Sequence, residues 1–225
     1  MNYCLPIIKN SKEEVLEVIK NNLPNYSFFE IWLDYIEDLD TTFVDQLISQ
    51  YEEKLVLLFR RQNLEYTKMN QDKREKIIWQ IANTRSFLDL DISQKQELNY
   101  LKEKNLKPNL ILSLHNYKST PPYPEMIDTI SEMEEYKPEV MKFSTFCNSE
   151  LDAVKLLNLL MHLKQEKKKF IVMGMGDEGV IARVAGAMWG NEMNYAPVSL
   201  DEKSALGQLA KQDFEKVLGI LYGRK

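Results

Sequence analysis

The chain reads as an α/β protein, a single (β/α)8 barrel of the TIM type, and three observations predict it. Short apolar runs rich in β-branched and aromatic residues recur about eight times, with amphipathic stretches between them. That alternation is the pattern of a parallel sheet with crossover helices. The first run leads into Lys9-Asn10-Ser11, not into the glycine-rich phosphate turn with which an open doubly wound sheet begins. No Gly/Ser or Pro tract divides the 225 residues, so residues 1–225 are expected to form one domain, near the lower end of the barrel size range.

The strands are expected at residues 3–8, 28–34, 54–60, 86–92, 109–116, 140–144 and 170–174, with a weaker eighth at 193–198. The helices between them show in apolar residues three and four apart, as in Val15, Ile19 and Leu23, or Leu156, Leu159, Leu160 and Leu163. Two charged blocks, 132–137 and 164–169, fall at helix ends, where charge is solvated.

Composition narrows the function. With 44% hydrophobic and 28% charged residues the chain is an ordinary globular protein. A net charge of −5 argues against general nucleic-acid binding, which relies on basic patches. A small anionic substrate stays open, because a few arginines in a pocket dominate locally. Cys4 and Cys147 are far apart and are expected as reduced thiols. With only His115 and His162 present, a His-rich metal site is excluded. No run approaches the roughly 18 apolar residues of a membrane span, and the apolar opening segment is too short for a secretion signal. A cytoplasmic location without a membrane partner is expected.

Chemistry in such a barrel gathers at the C-terminal ends of the strands. Glu30 and Asp34 lie in the second expected strand, and Arg60 closes the third. His115 ends the fifth, Lys142 sits in the sixth, and Arg183 follows the seventh. Each alone has an ordinary reading: a strand lysine snorkels to water, a histidine is hydrogen-bonded in a core, and Arg60 beside Arg61 is surface charge. His162, among Leu159, Leu160, Met161 and Leu163 on a helix, is structural or merely exposed. Together, one lysine, one histidine and two arginines would converge on one barrel mouth.

Several segments carry a resemblance. Ser113-Leu114-His115-Asn116-Tyr117 is followed by Thr120-Pro121, Met141-Lys142-Phe143 forms a lysine strand, and Phe59-Arg60 ends another. Leu88-Asp89-Leu90-Asp91, then Met175 through Arg183 with Trp189-Gly190 beyond, and Ser204-Ala205-Leu206-Gly207-Gln208 complete the set. In this order the segments resemble the type I 3-dehydroquinate dehydratase family, from about Tyr3 to Leu221. Three departures stand out. Trp32 occupies the place of an arginine in the family's E-W-R-x-D pattern. Leu64 falls where the family has a glutamate, with Glu65, one residue on, the candidate catalytic stand-in. Leu206 replaces the proline of the closing loop.

The resemblance implies a lyase that removes water from 3-dehydroquinate, a cyclic β-hydroxyketone carboxylate, without metal or cofactor. Lys142 would form an imine with the ketone, a far better electron sink than the ketone itself. For that, its pKa is expected to be lowered by burial or by cationic neighbours. His115 would serve as general acid and base, oriented by Glu30 or a nearby carboxylate. Arg183 with Arg60 would clamp the carboxylate, Glu30 would contact the substrate ring, and Ser204 and Gln208 would close over it. A homodimer is the assembly that the resemblance implies. Two other functions are weighed: another Schiff-base lyase, such as a class I aldolase, and a weakly active or non-catalytic barrel used for binding.

Overall fold

The computed structural model describes residues 1–61, 65 and 67–223. Its elements begin where local chemistry starts them. Ser11 accepts from the Glu14 backbone while the Glu14 side chain returns to the Ser11 N–H, a reciprocal cap that opens α1, Lys12–Asn22. Asp40 caps α2, Thr41–Tyr51, and Asn70 caps α3, Gln71–Ala82, each accepting from a first-turn N–H. Each such cap contributes about 1 kcal/mol. The remaining helices are α4 Lys95–Glu103, α5 Tyr123–Glu134, α6 Glu150–Gln165, α7 Val180–Trp189 and α8 Lys211–Leu221. Among the described residues no helix is long and apolar enough to cross a membrane.

The strands are β1 Tyr3–Ile7, β2 Phe28–Trp32, β3 Leu55–Leu58, β4 Phe87–Asp91, β5 Asn109–Asn116, β6 Val140–Phe146, β7 Phe170–Met175 and β8 Asn194–Tyr195. They pair in parallel in the order β7-β6-β5-β4-β3-β2-β1-β8, the arrangement of a (β/α)8 barrel. Most strands are shorter than the sequence pattern suggested, whereas β6 runs two residues further. Asp34 is not in β2: the chain turns into a 3-10 turn at Leu33–Tyr35. There the Asp34 carboxylate accepts from the backbone N–H groups of Lys68 and Met69 and pairs with Arg61 at 3.3 Å.

The last gap, between β7 and β8, is bridged by a side chain. Asn191 accepts from Val172 N at 2.9 Å and donates to Val172 O at 3.2 Å, so its amide acts as one more peptide group in the ladder. One residue on, Glu192 N donates to Phe170 O at 2.9 Å. Gly186 on α7 leaves the room: a Cβ there would lie 2.4 Å from the Asn191 amide nitrogen.

Most of the apolar core lies between the sheet and its helices. A second core fills the barrel in layers, because alternate residues of a strand point inward. Phe28, Phe87, Val140 and Met193 form one layer, and Cys4, Val56, Ile111 and Ile171 the next. Two residues beyond each member of the first layer come Glu30, Asp89, Lys142 and Tyr195, with Lys142 touching each of the other three. The alternation that makes the floor apolar therefore places a charged layer directly on it.

Candidate active site

Lys142 is 2% exposed, and its Nζ donates to Glu30 Oε1 at 2.9 Å, Asp89 Oδ2 at 2.8 Å and the Tyr195 hydroxyl at 3.1 Å. The ring of Tyr195 also faces the ammonium, 4.2 Å from its centroid. Each member of the layer supplies one acceptor, which satisfies the three donors of an ammonium. Burial pulls the Lys142 pKa down, but contact with Asp89 and Glu30 outweighs it and holds the group above its ordinary value. This corrects the expectation of a lowered pKa: the arginine contribution is present, but two carboxylates in contact override it.

Asp89 is the hub of the layer. Arg60 NH1 donates to it at 3.2 Å, Ser113 Oγ donates to it at 2.7 Å, and Lys142 closes the set. Although burial opposes it, these cations hold the Asp89 carboxyl far below the usual range. Glu30 has its second oxygen occupied by the Trp32 indole N–H at 2.8 Å. Trp32 is thus turned inward, and the Arg60 guanidinium lies 5.5 Å from its ring centroid.

His115 sits on β5, with Asp91 of β4 beside it. The Asp91 Oδ2 accepts from both the backbone N and the ring Nδ1 of His115, each at 2.9 Å. A carboxylate only accepts, so the ring proton is on Nδ1 and Nε2 keeps its lone pair. Burial, then the Arg60 charge, lowers the His115 pKa, with Asp91 partly opposing. The imidazole is therefore neutral at pH 7.

Arg183 projects from α7 and is 3% exposed. Its NH1 lies 3.6 Å from Met173 Sδ, and its Nε has no partner. Burial without an adjoining carboxylate lowers its pKa to about 10. Among the described residues no carboxylate pairs with this buried cation. Arg60, expected to share the clamp, lines the same cavity and is bound to Asp89, while its Nε, like that of Arg183, has no partner among the described residues.

Lys142, Glu30, Tyr195, His115, Arg60 and Arg183 line one cavity of about 30 Å³, with Ser204 and Gln208 at its rim, while Asp89 and Asp91 lie behind them. Gln208 accepts from Ser204 N at 2.8 Å and donates to Ser204 Oγ at 3.0 Å, so the 204–208 loop is braced by its own two polar ends. Gly207, at φ +77°, seats the loop on Gly176, whose carbonyl oxygen would lie 2.5 Å from a Cβ at that position. Leu206, in place of the family's proline, is 56% exposed. Beyond the loop lies a second cavity of about 260 Å³, and Ser204 and Ala205 wall both.

Glu65 does not join the site. Its side chain is 63% exposed, 3.8 Å from Arg61, and does not line the cavity. Asp91 is the carboxylate on His115. Leu64 lies outside the described residues. His162 packs edge-on against Tyr123, between helices. Asp91 and Tyr195 are the functional candidates that sequence reasoning passed over. The Asp-Leu-Asp alternation of β4, two charges on the inner face of an apolar strand, was the available signal for the first. The two-residue β8 gave none for the second. Among the described residues no three of His, Cys, Asp and Glu are grouped as a metal site.

Fold and site together define an α/β barrel whose mouth holds a buried lysine, a histidine hydrogen-bonded to a carboxylate and a buried arginine. The model of the type I 3-dehydroquinase family matches residues 3–225. The chain belongs to the type I 3-dehydroquinase family and is, with it, a hydro-lyase. The 3-dehydroquinate dehydratase of Methanococcus maripaludis is 26% identical over 222 residues, spanning 97% of this chain and 99% of that protein. That of Coxiella burnetii is 28% identical over 217 residues, spanning 94% and 91%. Among solved structures, the 3-dehydroquinate dehydratase from Geobacillus kaustophilus superposes with a TM-score of 0.82 at 20% identity, over 99% of this chain and 91% of that one. The type I enzyme of Clostridium difficile gives 0.79 at 22%, over 100% and 93%.

Proposed function

We propose that this chain dehydrates 3-dehydroquinate to 3-dehydroshikimate through an imine on Lys142, a step of the shikimate pathway. The observation that carries the reading is Lys142 itself: a fully buried lysine on the barrel axis, facing the same cavity as a neutral histidine and a buried arginine. A charge in that position is costly unless it has a task or complete compensation. Arg183 would bind the substrate carboxylate through charge-assisted hydrogen bonds. The amine attacks the ketone, and loss of water gives a protonated imine.

His115 Nε2 then takes the C2 proton, and the C–H electron pair moves into the enamine. The enamine expels the C1 hydroxyl, which leaves as water with the proton returned from the imidazolium. Hydrolysis of the conjugated imine frees product and lysine. Asp91 would stabilise the transient imidazolium and fix its tautomer. The small volume of the cavity, room for roughly two waters, means that the 204–208 loop must move outward for a ring to enter.

Two measurements test this. An ultraviolet assay should show enone formation from 3-dehydroquinate. Borohydride with substrate should add ligand mass to the peptide containing Lys142, and Lys142→Ala should abolish both signals. A mass addition on another lysine would overturn the assignment.

A further inference from the structure

Imine formation has a proton problem that the barrel layer is built to handle. The ammonium of Lys142 carries three protons, and three different groups accept them: Asp89, Glu30 and Tyr195. Combining an ammonium with a ketone to give a protonated imine and water moves two of those protons to the departing oxygen and leaves one on nitrogen. Asp89 is held by Arg60 and Ser113 as well as by Lys142, so it is suited to stay ionised and keep the retained N–H. Glu30, between the indole and the amine, can borrow one proton and return it.

Tyr195 is different in kind. Its hydroxyl both accepts and donates, it lines the cavity, and among the described residues Lys142 is the one charged group hydrogen-bonded to it. Its own proton has the Cys4 thiol beside it, a weak acceptor that is readily given up. Burial keeps the phenol protonated, raising its pKa well above the ordinary value, so it is always available as a donor.

We propose that Tyr195 is a further catalytic residue, a relay that passes a proton from Lys142 Nζ to the carbinolamine oxygen. The inference rests on the Lys142 imine. Lys142 first gives one proton to Glu30. The neutral amine then attacks, the N–C bond forms, and the carbonyl π pair moves to oxygen. The Tyr195 hydroxyl donates its proton to that oxygen and takes one from nitrogen in the same event, so no phenolate accumulates. Glu30 returns the borrowed proton, the C–O bond breaks, water leaves, and the nitrogen lone pair closes the imine. The third proton stays on nitrogen, facing Asp89.

The test is rapid-quench borohydride trapping of Lys142 with 3-dehydroquinate, in wild type and Tyr195→Phe. Trapping is followed over the full pH range in both proteins, so that a shifted profile is read apart from a slower step. Wild type should trap with a solvent deuterium isotope effect. Tyr195→Phe should keep its melting temperature, trap about a hundred-fold more slowly, as loss of one oxyanion donor typically does, and show a diminished isotope effect. An unchanged trapping rate overturns the relay. So does a slower rate with an unaltered isotope effect, which a merely displaced lysine would give. Should Tyr195→Phe fail to fold, Tyr195→Met, which also lacks the hydroxyl, carries the same comparison. Absence of any Lys142 adduct in wild type would instead sink the imine reading beneath it.

Discussion

Asp91 holds His115 in a single tautomer and opposes the fall of its pKa. Burial and Arg60 push the imidazole pKa below 6.5, while Asp91 pushes it up. A base must be unprotonated, so kcat/KM should persist as pH falls through 6.5 and fail only below it. Asp91→Asn removes the raising influence, so its acid limb should move to still lower pH, and its plateau should drop about a hundred-fold because the tautomer is no longer fixed. A pH–rate profile in which the limb stays put or moves upward would exclude this role. Trp32 shows how a departure is absorbed locally. The sequence allowed it to turn outward or to line the pocket with its N–H in place of an arginine contact. It does the second, holding Glu30 at 2.8 Å. Arg61 pairs with Asp34 and stacks on Tyr35, outside the lining of that pocket.

At the scale of elements, the weak eighth strand decides how the barrel closes. β8 has two residues and pairs with β1, so the join to β7 falls to Asn191. Asn191→Ala would leave the Val172 N–H and C=O without partners, which costs about 2–3 kcal/mol at buried positions. Gly186→Ala should cost a similar amount by pushing the same amide away, since the nearest atoms also include the Val172 carbonyl oxygen at 2.9 Å. Denaturant unfolding of both variants checks this; wild-type midpoints would show that the seam contributes nothing. The 204–208 loop is the second decisive element. Its outward movement would widen the cavity around Lys142 toward the larger one with which it shares Tyr117, Met175, Ser204 and Ala205, turning a narrow site into one open to a ring.

Over the whole molecule, no carboxylate among the described residues pairs with the buried Arg183. A bound carboxylate should therefore stabilise the fold. At a hundred times Kd, binding contributes about 2.7 kcal/mol, or roughly 5–10 °C in Tm for a chain of this size. Arg183→Gln should lose that shift while melting no lower than wild type without ligand, because removing an uncompensated buried cation relieves the unliganded state. A calorimetric series with 3-dehydroshikimate decides it. An undiminished shift in Arg183→Gln would place the carboxylate elsewhere.

The sequence by itself determined the eightfold strand–helix alternation, and with it the barrel and the mouth on which Lys142, His115, Arg60 and Arg183 meet. Period-two and period-3.6 patterns are local, and a parallel barrel turns them into position without further information. What it could not decide was pairing. Glu30, named for the substrate, holds Lys142. Asp91, seen only as part of a motif, holds His115. Arg60 is bound to Asp89, Asp34 belongs to a turn, and Glu65 points to solvent. The Lys142 pKa moved opposite to expectation for the same reason. Which charges touch depends on angles around the barrel between strands far apart in the chain, such as Glu30 and Lys142, 112 residues from each other. Coulomb energy falls with distance through a low-dielectric core, and only the closed tertiary structure sets that distance.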